Sequence, residues 1–202
     1  MIRIYGISLD SLSDTADEML TALPTAIAET WKRQHPSLRE ENTTKTSLAG
    51  VWLLWHAMPD ARLAYTADGK PFLVEQNVSI GITHTKTHAF CAISDSEDAI
   101  GLDAESLGRI KSDRLESLSK RWFTESEQKR LQAEPSEEIF LDIWTKKESL
   151  VKLTGEGLRA LREADTEAPP KGILFASYRH DNTILSLAYP QEEEPSSEII
   201  FF

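Results

Sequence analysis

A single cysteine, Cys91, occurs among the 202 residues of the chain. This excludes an intrachain disulfide and a cysteine-rich zinc site. No apolar run approaches the roughly 20 residues needed to cross a bilayer. The opening Met1-Ile-Arg-Ile-Tyr-Gly lacks a basic segment followed by a long apolar one, so no secretory signal is expected. A reducing, cytoplasmic setting without membrane contact fits these absences. Basic residues are scarce: 22 Lys and Arg stand against 33 Asp and Glu, a formal net charge of −11. That argues against general nucleic-acid binding, because neutralising phosphates needs clustered cations. It also means that any anionic substrate requires cations gathered locally. The composition is otherwise that of a globular protein, 40% hydrophobic and 27% charged. This length can bury a substantial core, as one domain or two closely packed halves.

Hydrophobic periodicity and punctuation give the coarse order. Ile2-Arg-Ile-Tyr alternates as an opening strand. Asp14 is a candidate cap for a first helix, Pro24 to Gln34 reads as a second, and Pro36 ends it. Thr44 to Met58 reads as a third, with Leu48, Val51, Trp52 and Trp55 as its apolar stripe. Asp68-Gly69 marks a hairpin turn between Leu63-Ala-Tyr and Pro71-Phe-Leu-Val. Val78 to Thr83, Ala89 to Ile93 and Ala99 to Glu105 read as successive strands, with turn chemistry at Asp95 and Ser96. A helix is expected over Ser112 to Arg121, and Thr124-Glu-Ser-Glu127 is a capping box for the next. Ser136 caps a longer helix that Gly155 and Gly157 end. Strands near 173–178 and 184–189 follow. The acidic stretch Gln191-Glu-Glu-Glu-Pro-Ser-Ser-Glu reads as solvated, with Ile-Ile-Phe-Phe after it able to dock. Helices followed by strands occur before about residue 105 and again after it, the order of an α+β fold and not of alternating βαβ units.

Two segments carry the chemistry. On a strand, Asp103 and Glu105 project from one face, opposite Ile100 and Leu102, with Cα atoms about 6.5–7 Å apart. Both can then reach one small cation. Gly101, on the same face, is expected to leave room for a bulky ligand. A D-x-E at a strand end is, by itself, more often a solvated edge. On the long helix, Trp144, Glu148 and Lys152 recur at i, i+4 and i+8 and share a face. The ordinary account is a surface Glu–Lys pair worth roughly 0.3–0.5 kcal/mol. That account leaves the crowding of Lys146, Lys147 and Glu148 beside a tryptophan unexplained. Three carboxylates holding a hard divalent ion, with lysines nearby, would suit diphosphate chemistry.

Ile100-Gly-Leu-Asp-Ala-Glu105, Trp144-Thr-Lys-Lys-Glu-Ser-Leu-Val-Lys152 and Gly155-Glu-Gly-Leu158 together resemble the motifs of the 4′-phosphopantetheinyl transferases. Glu105 and Glu148 are 43 positions apart, a spacing typical of that family, and Arg121-Trp-Phe-Thr-Glu-Ser-Glu127 resembles an element it carries between them. The resemblance spans about residues 45–165. It implies the longer, Sfp-type branch: a monomer of two similar α+β halves, antiparallel sheets packed by helices, with the active site in the cleft between them. The halves would be residues 1–105, the coenzyme A side ending in the metal-binding strand, and 106–202, with the catalytic helix, the carrier-facing segment and the closing strands.

The implied reaction is transfer of the 4′-phosphopantetheine group of coenzyme A to a serine of an apo acyl or peptidyl carrier protein, releasing 3′,5′-ADP. Mg²⁺, or Mn²⁺, would be held by Asp103, Glu105 and Glu148. Glu148 would also take the serine proton, and Lys152 would stabilise charge on the phosphates. Asp68-Gly69-Lys70-Pro71 resembles the turn that surrounds the adenine. Gly81-Ile-Thr83-His84-Thr85 resembles a family segment in which His84 contacts a coenzyme phosphate, with Gly81, Thr83 and Thr85 departing from its pattern. Lys45 matches a basic position used on the 3′-phosphate. His84 and His88 do not read as a zinc pair, because the surrounding Thr and Ile residues favour a strand.

Carrier proteins of this family's pathways are acidic, so the docking surface should be basic. Residues 109–130 hold seven basic and four acidic side chains, and Arg109, Lys111, Arg114, Lys120 and Arg121 are the expected carrier-facing set. A mixed solvated face competes with that reading. Two alternatives stay open: another Mg²⁺-dependent phosphotransferase, although no phosphate-binding glycine loop is present, and a noncatalytic carrier-binding homologue.

Overall fold

Burial alternates from Ile2 to Gly6, as a strand at the core requires, within β1 (Ile2–Ser8). The computed structural model describes residues 1–12, 15–37 and 41–202, and these form an α+β protein of two units. One unit comprises Met1–Asp98 and Pro195–Phe202, the other Ala99–Glu194.

In the first unit, β1 is followed by α1 (Ala16–Ala22), α2 (Thr25–Gln34) and α3 (Glu41–Ala57). The Asp14 cap lies outside the described residues. Thr15 caps α1 reciprocally with Glu18. A short hairpin of β2 (Leu63–Tyr65) and β3 (Pro71–Leu73) turns at the expected Asp68-Gly69. After it come β4 (Ser79–His84) and β5 (His88–Ser94). The sheet is completed by β9 (Pro195–Phe201), giving the order β4-β5-β1-β9, with β9 parallel to β1 and the other pairs antiparallel. Leu48, Val51 and Leu54 of α3 pack with Ile80, Ala89, Cys91 and Ile93 of the sheet, each large aliphatic side chain contributing roughly 1.5–3 kcal/mol by burial. Trp52 and Trp55 lie against this core, partly exposed.

In the second unit, β6 (Gly101–Ser106) pairs antiparallel with β8 (Thr183–Pro190), and β7 (Ile173–His180) pairs with β8 on its other side. Between β6 and β7 lie α4 (Ser112–Trp122), α5 (Glu125–Ala133) and α6 (Glu137–Thr154). Ser136 caps α6, and Gly155 ends it at φ +74°, a left-handed conformation that glycine adopts without penalty. Thr124 and Glu127 form the expected capping box on α5. Phe140, Leu141 and Ile143 of α6 share a core with Leu115, Phe123, Leu131 and Ile184. The hydroxyls of Thr145 on α6 and Ser186 on β8 lie 2.7 Å apart and fix helix to sheet.

The two units part before β6, not after Glu105, because the partner of β6 is β8. The C-terminal segment returns to the first unit as β9. No described helix is long and apolar enough to cross a membrane.

Candidate active site

The pleat of β6 puts Gly101, Asp103 and Glu105 on one face, and α6 covers it. A Cβ added at Gly101 would stand 1.8 Å from the carbonyl oxygen of Ser149 and 2.7 Å from the backbone N of Leu153. Gly101 therefore makes room for the backbone of α6 and not, as its position suggested, for a bulky ligand. This close approach is what delivers Glu148 and Lys152, one turn apart on α6, to the carboxylates of β6. Lys152 Nζ donates to Asp103 Oδ1 at 2.6 Å and to the Leu102 carbonyl at 3.0 Å. Arg109 pairs with Glu105. Trp144, one turn before Glu148, stacks on Phe140 and meets Trp122 edge-on at 6.1 Å between ring centres.

Burial, opposed only in part by Lys152, raises the Glu148 carboxyl from 4.5 to about 6, and the Asp103 and Glu105 carboxylates add to the rise. Burial also raises Glu105, with Arg109 opposing it. A partly buried cluster of three carboxylates is a hard, all-oxygen donor set, and a divalent cation would relieve its repulsion. Among the described residues, the three side chains do not draw their oxygens to within 4.8 Å of one another. Lys152 and Arg109 hold two of them instead. Asp103, Glu105, Glu148 and Lys152 are thus neighbours, and the all-oxygen chemistry of the three carboxylates fits Mg²⁺ or Mn²⁺.

The other two lysines of this helix stand elsewhere. Lys146 pairs with Asp142 at 2.8 Å. Lys147 is fully buried and pairs with fully buried Glu127 at 2.8 Å, while also donating to the Ala164 carbonyl. Both are structural, so they correct the expectation that lysines gather at the carboxylates. Lys147, at i+3 of Trp144, lies close to the same face by helix periodicity, and it is the packing of α5 with Glu127 that claims it.

The expected coenzyme residues, apart from Lys152, lie in the first unit on three adjoining elements. Lys45 is on α3, Gly69 and Lys70 lie in the β2–β3 turn with Pro71 opening β3, and Thr83 and His84 end β4. Burial pushes the Lys70 ammonium below its usual range, with Asp68 opposing. Thr83 is buried and His84 exposed. The Thr85 hydroxyl accepts from the backbone N–H groups of Thr87 and His88 at 3.2 and 3.1 Å, so it closes the β4–β5 turn.

Arg109, Lys111, Arg114, Lys120 and Arg121 are all exposed, on α4 or the segment leading to it. Beside them is a cavity of about 210 Å³ lined by Glu105, Ile110, Leu118, Trp122, Phe140 and Trp144, among others. Trp122 belongs to the Arg121-Trp-Phe element that resembles the family's, whereas Leu118 carries no motif, and its i, i+4 spacing to Trp122 on α4 is its only sequence signal.

Residues 99–192 match the family model described as the 4′-phosphopantetheinyl transferase superfamily. A relative from Nostoc sp. (strain PCC 7120), 4′-phosphopantetheinyl transferase HetI, is 37% identical over 113 residues. That match covers 52% of this chain and 46% of the relative, so the chain spans about half the length of the curated protein it matches.

Proposed function

We propose that the protein, whose residues 99–192 match the model of the 4′-phosphopantetheinyl transferase superfamily, moves 4′-phosphopantetheine from coenzyme A to a serine of an apo carrier protein. The observation that carries this reading is the packing of α6 on β6 at Gly101, which sets Glu148 and Lys152 beside Asp103 and Glu105. Asp103, Glu105 and Glu148 would hold Mg²⁺ or Mn²⁺, which when bound neutralises diphosphate charge and favours in-line displacement.

The carrier serine Oγ forms the new bond to the β-phosphorus of coenzyme A, and the bond to the departing 3′,5′-ADP breaks. Lys152 is a cation within reach of the same carboxylates and offsets charge on the phosphate oxygens. Glu148 is assigned first to holding the ion. Accepting the serine proton, directly or through a water, is its second role. Lys45, Lys70, Thr83 and His84 are assigned to the coenzyme, with the Gly69-Lys70-Pro71 turn at its adenine. The exposed cations of 109–121 are assigned to the carrier. The protein is read as a cytoplasmic monomer.

The test is to incubate the protein with Mg²⁺, coenzyme A and several apo carrier proteins and weigh the carriers by mass spectrometry. A mass gain of one phosphopantetheine is expected. Absence of any gain across the carriers contradicts the reading, and an undiminished gain with Glu148→Gln contradicts the site.

A further inference from the structure

The carboxylate of Glu137, the first residue of α6, accepts three consecutive backbone N–H groups from the segment that leaves β6. Gly108 donates to Oε2 at 2.8 Å, and Arg109 and Ile110 donate to Oε1 at 2.8 and 2.7 Å. Successive N–H groups converge on one anion only where the backbone curls, and Gly108 at φ +86° supplies the left-handed residue that the curl needs. Just before it, Leu107 N–H donates to the Asn182 carbonyl at 2.7 Å. These ties are all to backbone, and they fix the point from which the Arg109 side chain extends.

That side chain ends on Glu105, the second carboxylate of β6. Lys152 holds Asp103 in the same manner, so two of the three clustered carboxylates have a cation of the protein's own. The two cations differ in their support. Lys152 extends from α6, one turn after Glu148, and is fixed by the helix ladder. Arg109 is exposed and stands in a turn, where the Glu137 carboxylate takes the place of a ladder. A divalent ion that takes Glu105 as a ligand has to displace Arg109 from it. The start of α6 thus anchors the counter-cation, and its second half, about three turns on, presents Glu148.

We propose that Glu137 is a positioning residue that holds Arg109 on Glu105 as a built-in counter-cation, against which a divalent ion competes for the carboxylate cluster. This rests on the metal assignment of the transferase reading and extends it to a residue outside the cluster. It also fixes a sign. Glu137 is itself negative, and loss of its charge alone weakens the attraction for a cation. Release of Arg109 acts the other way, because Glu105 is then rid of a competitor. Glu137→Gln keeps the size of the side chain but turns one acceptor into a donor, so the three N–H groups are no longer all satisfied.

Mn²⁺ binding tests the proposal, with the ion alone titrated into the full chain and followed by electron paramagnetic resonance. The proteins are wild type, Glu137→Gln, Arg109→Ala, the double variant, and Glu138→Gln as a control that removes the adjacent charge and its surface pair with Arg179. Glu137→Gln and Arg109→Ala should each lower the Mn²⁺ dissociation constant about threefold or more, and Glu137→Gln should add nothing in the Arg109→Ala background. Glu138→Gln should leave it unchanged. Glu137→Asp, which keeps the charge but draws it back by one methylene, serves where the amide variant does not fold and should shift in the same direction. A dissociation constant unchanged or raised in Arg109→Ala or in the Glu137 variants overturns the proposal. So does an equal gain from Glu137→Gln in both backgrounds, an equal gain from Glu138→Gln, or wild-type protein that binds no Mn²⁺. The expected order of affinities without any carrier loading upholds the positioning role and contradicts the transferase reading instead.

Discussion

At Glu148, burial and two neighbouring carboxylates raise the carboxyl to about 6. The folded chain therefore holds this proton more tightly than the unfolded chain. The associated stability is present below the ordinary carboxyl value of 4.5 and is lost as pH rises through about 6. Without metal, Glu148→Gln should remove that loss and stabilise the protein above pH 6 by on the order of 1 kcal/mol, discounted for the partial exposure of the group. Thermal unfolding should show a rise of about 2–4 °C at pH 7.5 and none at pH 4. A fall at pH 7.5 would contradict the electrostatic account of the cluster. Lys147 poses the opposite case, because its partner Glu127 is as buried as itself and also accepts from the backbone N–H groups of Thr124 and Thr166. Lys147→Met leaves a buried charge unpaired and should cost about 3–5 kcal/mol. A loss under 1 kcal/mol in chemical denaturation would show that the pair is not sealed from water. From the sequence, Lys147 and Glu148 were alike as charged neighbours of Trp144. Only the side on which α5 packs separates Lys147 from the carboxylate cluster that Glu148 joins, and a single sequence does not carry that long-range fact.

On the scale of elements, the contact between α6 and β6 governs the site, and Gly101 governs the contact. Gly101→Ala puts a methyl into the Ser149 carbonyl, which the helix can relieve only by moving away from the strand. Overpacking of this kind costs about 1–3 kcal/mol, and transfer activity should fall more steeply than stability, since Glu148 and Lys152 move with α6. Stability and activity measured on one preparation check this, and full activity in Gly101→Ala would contradict it. The helix itself was legible end to end: the Ser136 cap, the apolar period and the Gly155 stop all act within a few residues. The last strand was not. Its acidic approach through Glu192–Glu194 reads as solvated, yet the residues after it complete a sheet as β9 beside β1, and Phe202 N–H donates to the Gly6 carbonyl at 3.1 Å. Parallel pairing with a strand nearly two hundred positions away leaves no local signature. Deleting residues 195–202 uncovers the edge of β1 and should lower the unfolding temperature and promote concentration-dependent aggregation. A truncated chain that stays monomeric at the original melting temperature would contradict this role for β9.

Over the whole molecule, the charge is strongly negative and its exceptions are local. The carboxylate cluster carries its own cations in Lys152 and Arg109, and the exposed arginines of α4 are the site's main surface departure from the overall sign. KM for an acidic carrier should therefore rise several-fold between about 50 and 300 mM salt, because exposed charges are screened over a Debye length that shrinks below 10 Å. KM for coenzyme A should move less. Equal salt sensitivity for both substrates would contradict a separate, electrostatic carrier surface. The motif residues on β6 and α6 were legible in the sequence because each lies within one short periodic element. The role of Glu137 was not, since its bonds to the backbone of residues 108–110 span 27 to 29 positions and depend on α6 returning to the end of β6.

The most direct test of the central claim is the mass of an apo carrier protein after incubation with coenzyme A and Mg²⁺, run side by side with wild-type protein and Glu148→Gln. A gain of one phosphopantetheine per carrier with wild type, reduced at least a hundredfold in rate by the substitution, is the predicted result. No gain with wild type, or an equal gain with Glu148→Gln, would contradict it.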